Sequence, residues 1–445
     1  MFAKGVRCSN CHEPHSTKLQ AEGNGVCLQC HNPAGKTAVA GVDGSGLKAR
    51  DYQSPEHHRH APGQPGSQCV DCHMPGKFYM VNDWRHDHGF SIPAPAQAVK
   101  LGTPDACLGC HLATPGQKVA EQFRLWYGEH ETPSQRYARS LDALRSGRPG
   151  AAAALFEQLQ NDELPAIRRA TLLAELPNYH SQRALELASR DLRSDAPQVR
   201  VAAIDALAAL LPAEQRVQPL APLLDDPIRA VRISAAYALL PARNVGLGAA
   251  FDKALAEYEQ VQLSQLERAE ANVNLAMLYR ASGRLDQVEP YLRAAMQRDP
   301  DFVPARVALV QWLDGRGQQG EARALLDQGL AAHPESALLQ HARGLALVRA
   351  GQREEALNAL RKAVQLEPEN AGFAYVLAIA LHDQGHPGEA TEQLWKALEQ
   401  QPWNRQVRLV LMRYLQQTGQ VDKAEGLIET LRALNPEDPM LRPRS

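Results

Sequence analysis

Proline recurs at a fixed interval along the C-terminal part of this chain. Pro300, Pro334, Pro368, Pro402 and Pro436 stand 34 residues apart, and Gly283, Gly317, Gly351, Gly385 and Gly419 keep the same period. Ala322, Ala356, Ala390 and Ala424 follow it too. Three landmarks in phase confine the chain to one supersecondary unit stacked on itself, each copy burying the apolar face of its neighbour. Glycine lets the chain turn between two helices, alanine lets the second helix approach the first, and proline stops the second helix. Aromatic residues are only 5% of the chain, so its core must be built mainly from Leu, Ala and Val, as helical repeats do.

A second period, near 32 residues, precedes the first. Ile167-Arg168, Val199-Arg200 and Val231-Arg232 align, and Pro197 and Pro227 break the chain before the two later helices. This stretch, residues 151–250, resembles HEAT-like repeats, and residues 251–445 resemble tetratricopeptide repeats. A helical connector is expected over 112–150, with short helices at 119–127 and 134–144. The expected fold class is mostly α, with an α-solenoid behind a loop-rich N-terminal domain.

That N-terminal domain, residues 1–111, is built differently. It holds 13 Leu, Ile and Val residues, ten of the 16 histidines and all eight cysteines. Stretches such as Ala61-Pro62-Gly63-Gln64-Pro65-Gly66 cannot continue a helix. So little aliphatic surface cannot support a core unaided, and something else must fill the interior.

The cysteines say what. Every one belongs to a Cys-x-x-Cys pair followed at once by histidine: Cys8/Cys11/His12, Cys27/Cys30/His31, Cys69/Cys72/His73 and Cys107/Cys110/His111. In this arrangement two thiols add across the two vinyl groups on one edge of a porphyrin, and the adjacent histidine binds the iron from below. Four covalent haem c groups are expected, and four flat macrocycles would fill the domain. Structural zinc is the competing chemistry, but zinc does not require histidine after the second cysteine. Thioredoxin-like dithiols would need a βαβ context that this Gly- and Pro-rich segment lacks.

Each iron needs a sixth ligand or is left open. Six further histidines lie in the same segment, His15, His57, His58, His60, His86 and His88, with Met74 and Met80 as additional candidates. Such enrichment predicts bis-histidine coordination and low-potential electron transfer. His15 and His88 are the first choices, followed by one or two of His57, His58 and His60. His15 is too close to His12 to reach the opposite face of the same iron.

Residues 6–15, 68–75 and 102–107 resemble the doubled CxxCH segments of multihaem cytochromes. Joined to the C-terminal repeats, the whole chain resembles a bacterial group of multihaem cytochromes fused to tetratricopeptide repeats. Members of that group usually carry a further haem-bearing region upstream. The resemblance implies an electron carrier that meets a redox partner protein, with the solenoid binding a protein or peptide. The alternatives are an oxidoreductase acting on a small nitrogen or sulfur compound, and a redox-sensing scaffold. Haem is ligated to such motifs outside the cytoplasm, so a periplasmic or other extracytoplasmic location is expected. No apolar segment precedes Cys8 that would direct export, and a truncated N-terminus is the expected reason. Net charge is -2, from 48 basic and 50 acidic residues, which gives no footprint for nucleic acid. No apolar run approaches the 18 or so residues of a membrane span.

Overall fold

A computed structural model describes residues 1–129 and 131–442. The chain divides into two compact units, Met1–Arg136 and Tyr137–Ser445.

The first unit is a set of short helical turns joined by loops. Cys8–Asn10, Gly25–Leu28, Pro55–His58, Cys69–His73 and Ala106–Cys110 each span three to five residues. Longer helices follow at Pro95–Leu101 and Gly116–Tyr127, the latter starting three residues before the sequence-based expectation. An antiparallel hairpin pairs Gly76–Tyr79 with Asp83–His86, Phe78 standing opposite Trp84. No pattern in the sequence predicts a strand here. Almost nothing in this unit is fully buried by protein: Ala98 and Ala120 are the core aliphatic residues.

The second unit is an array of paired helices. Five pairs follow the 34-residue period: Ala269–Ser282 with Val288–Arg298, Val303–Gly315 with Gln319–Ala332, Ala337–Arg349 with Arg353–Leu366, Ala371–Asp383 with Pro387–Gln400, and Arg405–Gln417 with Val421–Leu434. Each periodic landmark does what its chemistry requires. Gly351 sits between helices at φ 74°, and its four equivalents share that left-handed conformation, which disfavours any residue with a Cβ. Ala322, Ala356, Ala390 and Ala424 are buried where the helices of a pair meet.

In the preceding helices a ladder of ion pairs links successive helices, buried in its first two rungs and half-buried in the third. Arg169 meets Asp191 at 3.0 Å, Arg200 meets Asp226 at 2.8 Å and Arg232 meets Glu257 at 2.9 Å. This corrects the alignment of the first copy by one residue. Arg169, not Arg168, is the counterpart of Arg200, and Ile167 is 67% exposed whereas Val199 and Val231 are buried. The cause is local: the first helix, Ala166–Leu173, gives way to a 3-10 turn at Leu176–Tyr179 containing Pro177, so its buried face is set by different residues.

The two ends of the second unit touch. Gly150 donates its N–H to the Ala433 carbonyl at 2.8 Å, and Asn435 Nδ2 donates to the His180 carbonyl at 2.9 Å. Leu434 joins the apolar core that contains Leu144 and Leu155. Just behind this seam Asp438, with a fully buried side chain, accepts two hydrogen bonds from Arg405 at 2.7 and 2.8 Å.

Candidate cofactor-binding site

Each cysteine pair folds as one helical turn. His12, His31 and His111 donate their backbone N–H to the carbonyls of Cys8, Cys27 and Cys107 at 2.8, 2.9 and 2.9 Å, and Cys69–His73 is helical throughout. On a helical turn residues i, i+3 and i+4 share a face, so both thiols and the imidazole are presented together. Side-chain caps fix where the turns start. Asp105 Oδ1 accepts from the Cys107 and Leu108 amides at 2.9 and 3.3 Å, and Asn10 Oδ1 accepts from the Arg7 amide at 2.7 Å. Asn24 ties the second motif to the third: its Oδ1 accepts from the Cys69 amide at 2.8 Å and its Nδ2 donates to the Ser67 carbonyl at 3.1 Å.

None of the eight cysteines is paired in a disulfide and none is fully buried. The neighbouring Cys69 thiol holds Cys27 down to about 7, and Cys27 together with burial pushes Cys69 up. Burial raises Cys11, with further contributions from Cys27 and Cys30. Burial also raises Cys72, helped by Asp71 and Cys110, and lifts Cys107 to about 12, helped by Asp105 and Cys72. These neighbour effects run from first motif to second, second to third, and third to fourth. The contacts agree: Gln29 Nε2 of the second motif donates to the Asn10 carbonyl of the first at 3.5 Å, Asn24 bridges the second to the third, and the turns Cys69–His73 and Ala106–Cys110 touch, so the four motifs stand next to one another in chain order. Among the described residues no three His, Cys, Asp or Glu side chains converge as a metal held by protein alone would require.

The histidines form pairs across the unit. The His12 and His88 ring centroids are 6.3 Å apart, His57 and His73 are 6.3 Å apart, and His60 and His111 are 6.0 Å apart. Each of these three joins one motif histidine to one of the remote candidates, whereas His58 and His60, neither of them in a motif, stand 6.5 Å apart. With metal–nitrogen bonds of about 2 Å, and a ring centre about 1 Å behind its ligating nitrogen, two imidazoles on opposite faces of one metal stand about 6 Å apart. The residues therefore fit a haem iron between each pair.

Backbone carbonyls orient several of these rings. Nδ1 of His12 contacts the Thr17 carbonyl at 2.9 Å, that of His73 the Ser91 carbonyl at 2.8 Å, that of His88 the His86 carbonyl at 2.9 Å, and that of His60 the His58 carbonyl at 2.5 Å. A ligating histidine usually donates its second ring nitrogen in this way, which leaves Nε2 for the metal. Nδ1 of His57 is buried without a partner. Burial holds His57 at about 4, with Arg50, His73 and His58 adding to the effect, so its ring is neutral, the form that binds metals.

A left-handed residue separates the histidines of the 57–60 cluster. Arg59 has φ 61° and ends the turn Pro55–His58. On a continued helix His57 and His60 would share a face; instead one meets His73 and the other His111. Tyr127 clamps the turn by donating its hydroxyl to the His57 carbonyl at 2.6 Å. Gly66 leaves room for the His60 ring, since a Cβ there would lie 2.6 Å from it. Thr17, whose carbonyl receives His12, is another left-handed residue, at φ 59°. Arg59, Thr17, Asn24 and Tyr127 carried no signal in the sequence, because their roles depend on contacts rather than on spacing.

The other candidates are placed differently. His58 has both ring nitrogens engaged, Nε2 with the Gln53 carbonyl at 2.9 Å and Nδ1 with the His60 amide at 3.2 Å. His86 ends the hairpin with Nδ1 on the Met74 carbonyl at 2.6 Å. His15 is exposed, its amide on Glu13 at 3.1 Å. Met80 lies at the hairpin tip, 78% exposed. His31 is met by Tyr52, edge-on, with ring centroids 5.7 Å apart.

Comparison with known proteins agrees with both halves of this description. Residues 1–36 match the doubled CXXCH motif model, which points to covalently bound haem c. Residues 279–345 and 381–442 match one tetratricopeptide repeat model, and 341–403 match another. No curated protein matches the chain. Among solved structures, a thermophilic tetratricopeptide-repeat protein of Thermus thermophilus is 25% identical, with a TM-score of 0.33, over 40% of this chain and 95% of its own. YrrB, a repeat protein described as having an unusual peptide-binding site, is 21% identical with a TM-score of 0.29, over 41% of this chain and 94% of its own. Yeast Tom70 is 14% identical with a TM-score of 0.41, over 69% of this chain and 61% of its own. Among the described residues no helix is long and apolar enough to cross a membrane.

Proposed function

We propose that this chain is a multihaem c-type cytochrome that carries electrons along four haems, one on each CxxCH motif, and docks a partner through its helical repeats. The three imidazole pairs at 6.0 to 6.3 Å carry the reading, because two histidines on opposite faces of one iron account for that spacing and for the local excess of histidine. Haem iron supplies a one-electron couple when bound. The protein's own contribution is to anchor and order. Cys8/Cys11, Cys27/Cys30, Cys69/Cys72 and Cys107/Cys110 hold the groups covalently, and His12, His31, His73 and His111 stand beneath them. His88, His57 and His60 face the first, third and fourth. Chain-order adjacency of the motifs supports transfer along the series.

The Arg–acid ladder over 169–257 supports reading residues 151–250 as HEAT-like repeats. The tetratricopeptide array supports docking of a protein or peptide. A groove there is lined by His341, Phe373, Tyr375, Val376, Asn404 and Val407, and His341 Nδ1 is left without a partner. An extracytoplasmic location follows from the covalent haem chemistry. Peptide mapping of protein made with haem-ligation machinery tests the reading. Haem should be found on all four motif peptides, and unmodified thiols at any one of them would remove that haem from the series.

A further inference from the structure

The ring that faces His12 is carried by the loop that leaves the third motif. Residues 73–91 form this loop, and both of its ends return to the third motif. His73 Nδ1 contacts the Ser91 carbonyl at 2.8 Å, and the carbonyl of the next residue, Met74, is met by His86 Nδ1 at 2.6 Å. Between them runs the hairpin, closed by the pair Gly76 and His86 and prolonged by the Asp87 amide, which donates to the Pro75 carbonyl at 3.2 Å. Trp84 lies over Gly76, where a Cβ would collide with the indole, and Phe78 meets Trp84 edge-on at 5.0 Å. Asp87 Oδ1 then accepts the Gly89 amide at 2.8 Å, which turns the chain around His88. The His88 ring is held on two sides, by the His86 carbonyl on its Nδ1 at 2.9 Å and by Phe90, edge-on at 6.1 Å. His86 is thus engaged twice, through its ring with the third motif and through its carbonyl with the ring that faces the first.

We infer that His86 is a positioning residue for His88: its ring fixes the carbonyl that orients His88, so the sixth ligand of the first iron is set by the third motif. The inference rests on the four-haem reading above, with His88 opposite His12. A carbonyl only accepts, so each contacting Nδ1 carries the proton, and in the neutral ring Nε2 keeps its lone pair. For His88 that nitrogen is the one left for the iron. A hydrogen-bond partner on the second ring nitrogen fixes the tautomer and direction of a ligating histidine and raises its basicity. Loss of such a partner weakens metal binding by about 10- to 100-fold. His86 is exposed, so its replacement opens no cavity, and its effect is to be read at the iron.

Carbon monoxide titration of the full-length, haem-loaded, dithionite-reduced chain tests this. Fewer than four haems per chain by pyridine haemochrome, or a His88→Ala variant that takes up no more carbon monoxide than the unmutated protein, would overturn the underlying reading and this inference with it. With four haems, and one further carbon monoxide taken up by His88→Ala, the two become separable. His86→Ala should then lower the carbon monoxide concentration that half-saturates that iron by about 10- to 100-fold, because a weakly held His88 is displaced more easily. His86→Asn, whose amide nitrogen stands nearly where Nδ1 does and donates to the Met74 carbonyl, should recover most of the unmutated behaviour. The double variant His86→Ala/His88→Ala should take up no more carbon monoxide than His88→Ala alone. An unchanged titration in His86→Ala, or no recovery in His86→Asn, would overturn the inference alone. A further carbon monoxide in the double variant would also overturn it, by making His86 an iron ligand in its own right.

Discussion

Histidines one residue apart in sequence have different places in the first unit, and His57 and His58 show it most sharply. His57 faces the motif ring His73, and its Nδ1 is buried and unpartnered. His58 turns the other way and spends both nitrogens on its own loop. His57→Ala should therefore convert the iron at His73 to a high-spin, carbon monoxide-binding form, whereas His58→Ala should leave the haem spectra unchanged. Magnetic circular dichroism of the two variants checks this; an equal effect of both would contradict the pairing. The sequence showed that distal histidines were abundant. It could not show which would meet a motif ring, because that depends on the left-handed Arg59 and on the Tyr127 clamp, neither of which follows a spacing rule. His15, expected to reach a neighbouring haem, is exposed, while His60 stands 6.0 Å from His111 through a turn that spacing alone would not suggest.

At the scale of elements, periodic structure was legible and aperiodic structure was not. The five tetratricopeptide helix pairs follow from glycine, alanine and proline landmarks held in phase. The hairpin at 76–86 gave no such signal, since its tip is Met80-Val81 rather than a residue pair that favours left-handed turns. The seam between the first and last helices of the second unit was equally silent, because Asn435 and His180 are 255 residues apart. That seam carries energy. Leu434 is buried in the same core as Leu144, and Leu434→Ala should destabilise the second unit by about 2–5 kcal/mol, measured by urea denaturation followed by circular dichroism. Asp438 offers a sharper case. Arg405→Ala strands a carboxylate that the fold buries completely, and the expected loss is about 3–5 kcal/mol. A loss below about 1 kcal/mol from either change would mean that the seam is loose in solution.

For the whole molecule, the division into two units separates two ways of filling an interior. The second unit buries Leu and Ala against neighbouring helices and closes its own ends, so a fragment of residues 137–445 should fold to a helical, cooperatively melting protein without haem. A shorter fragment, 264–445, keeps the tetratricopeptide pairs but loses the partners of Gly150, His180 and Leu144, and should melt at a lower temperature. Equal melting temperatures would mean that the seam adds no stability. The first unit buries almost no aliphatic side chains and should be disordered as a haem-free fragment of residues 1–136. Circular dichroism of that fragment showing a cooperative melt would contradict the role given to the macrocycles.

The four helical turns are proposed to hold one haem each. The pyridine haemochrome of the full-length protein, made with export and haem-ligation machinery and normalised to protein concentration, tests it most directly. Four haems per chain are expected. A ratio near zero, with stoichiometric zinc in place of iron, would contradict it.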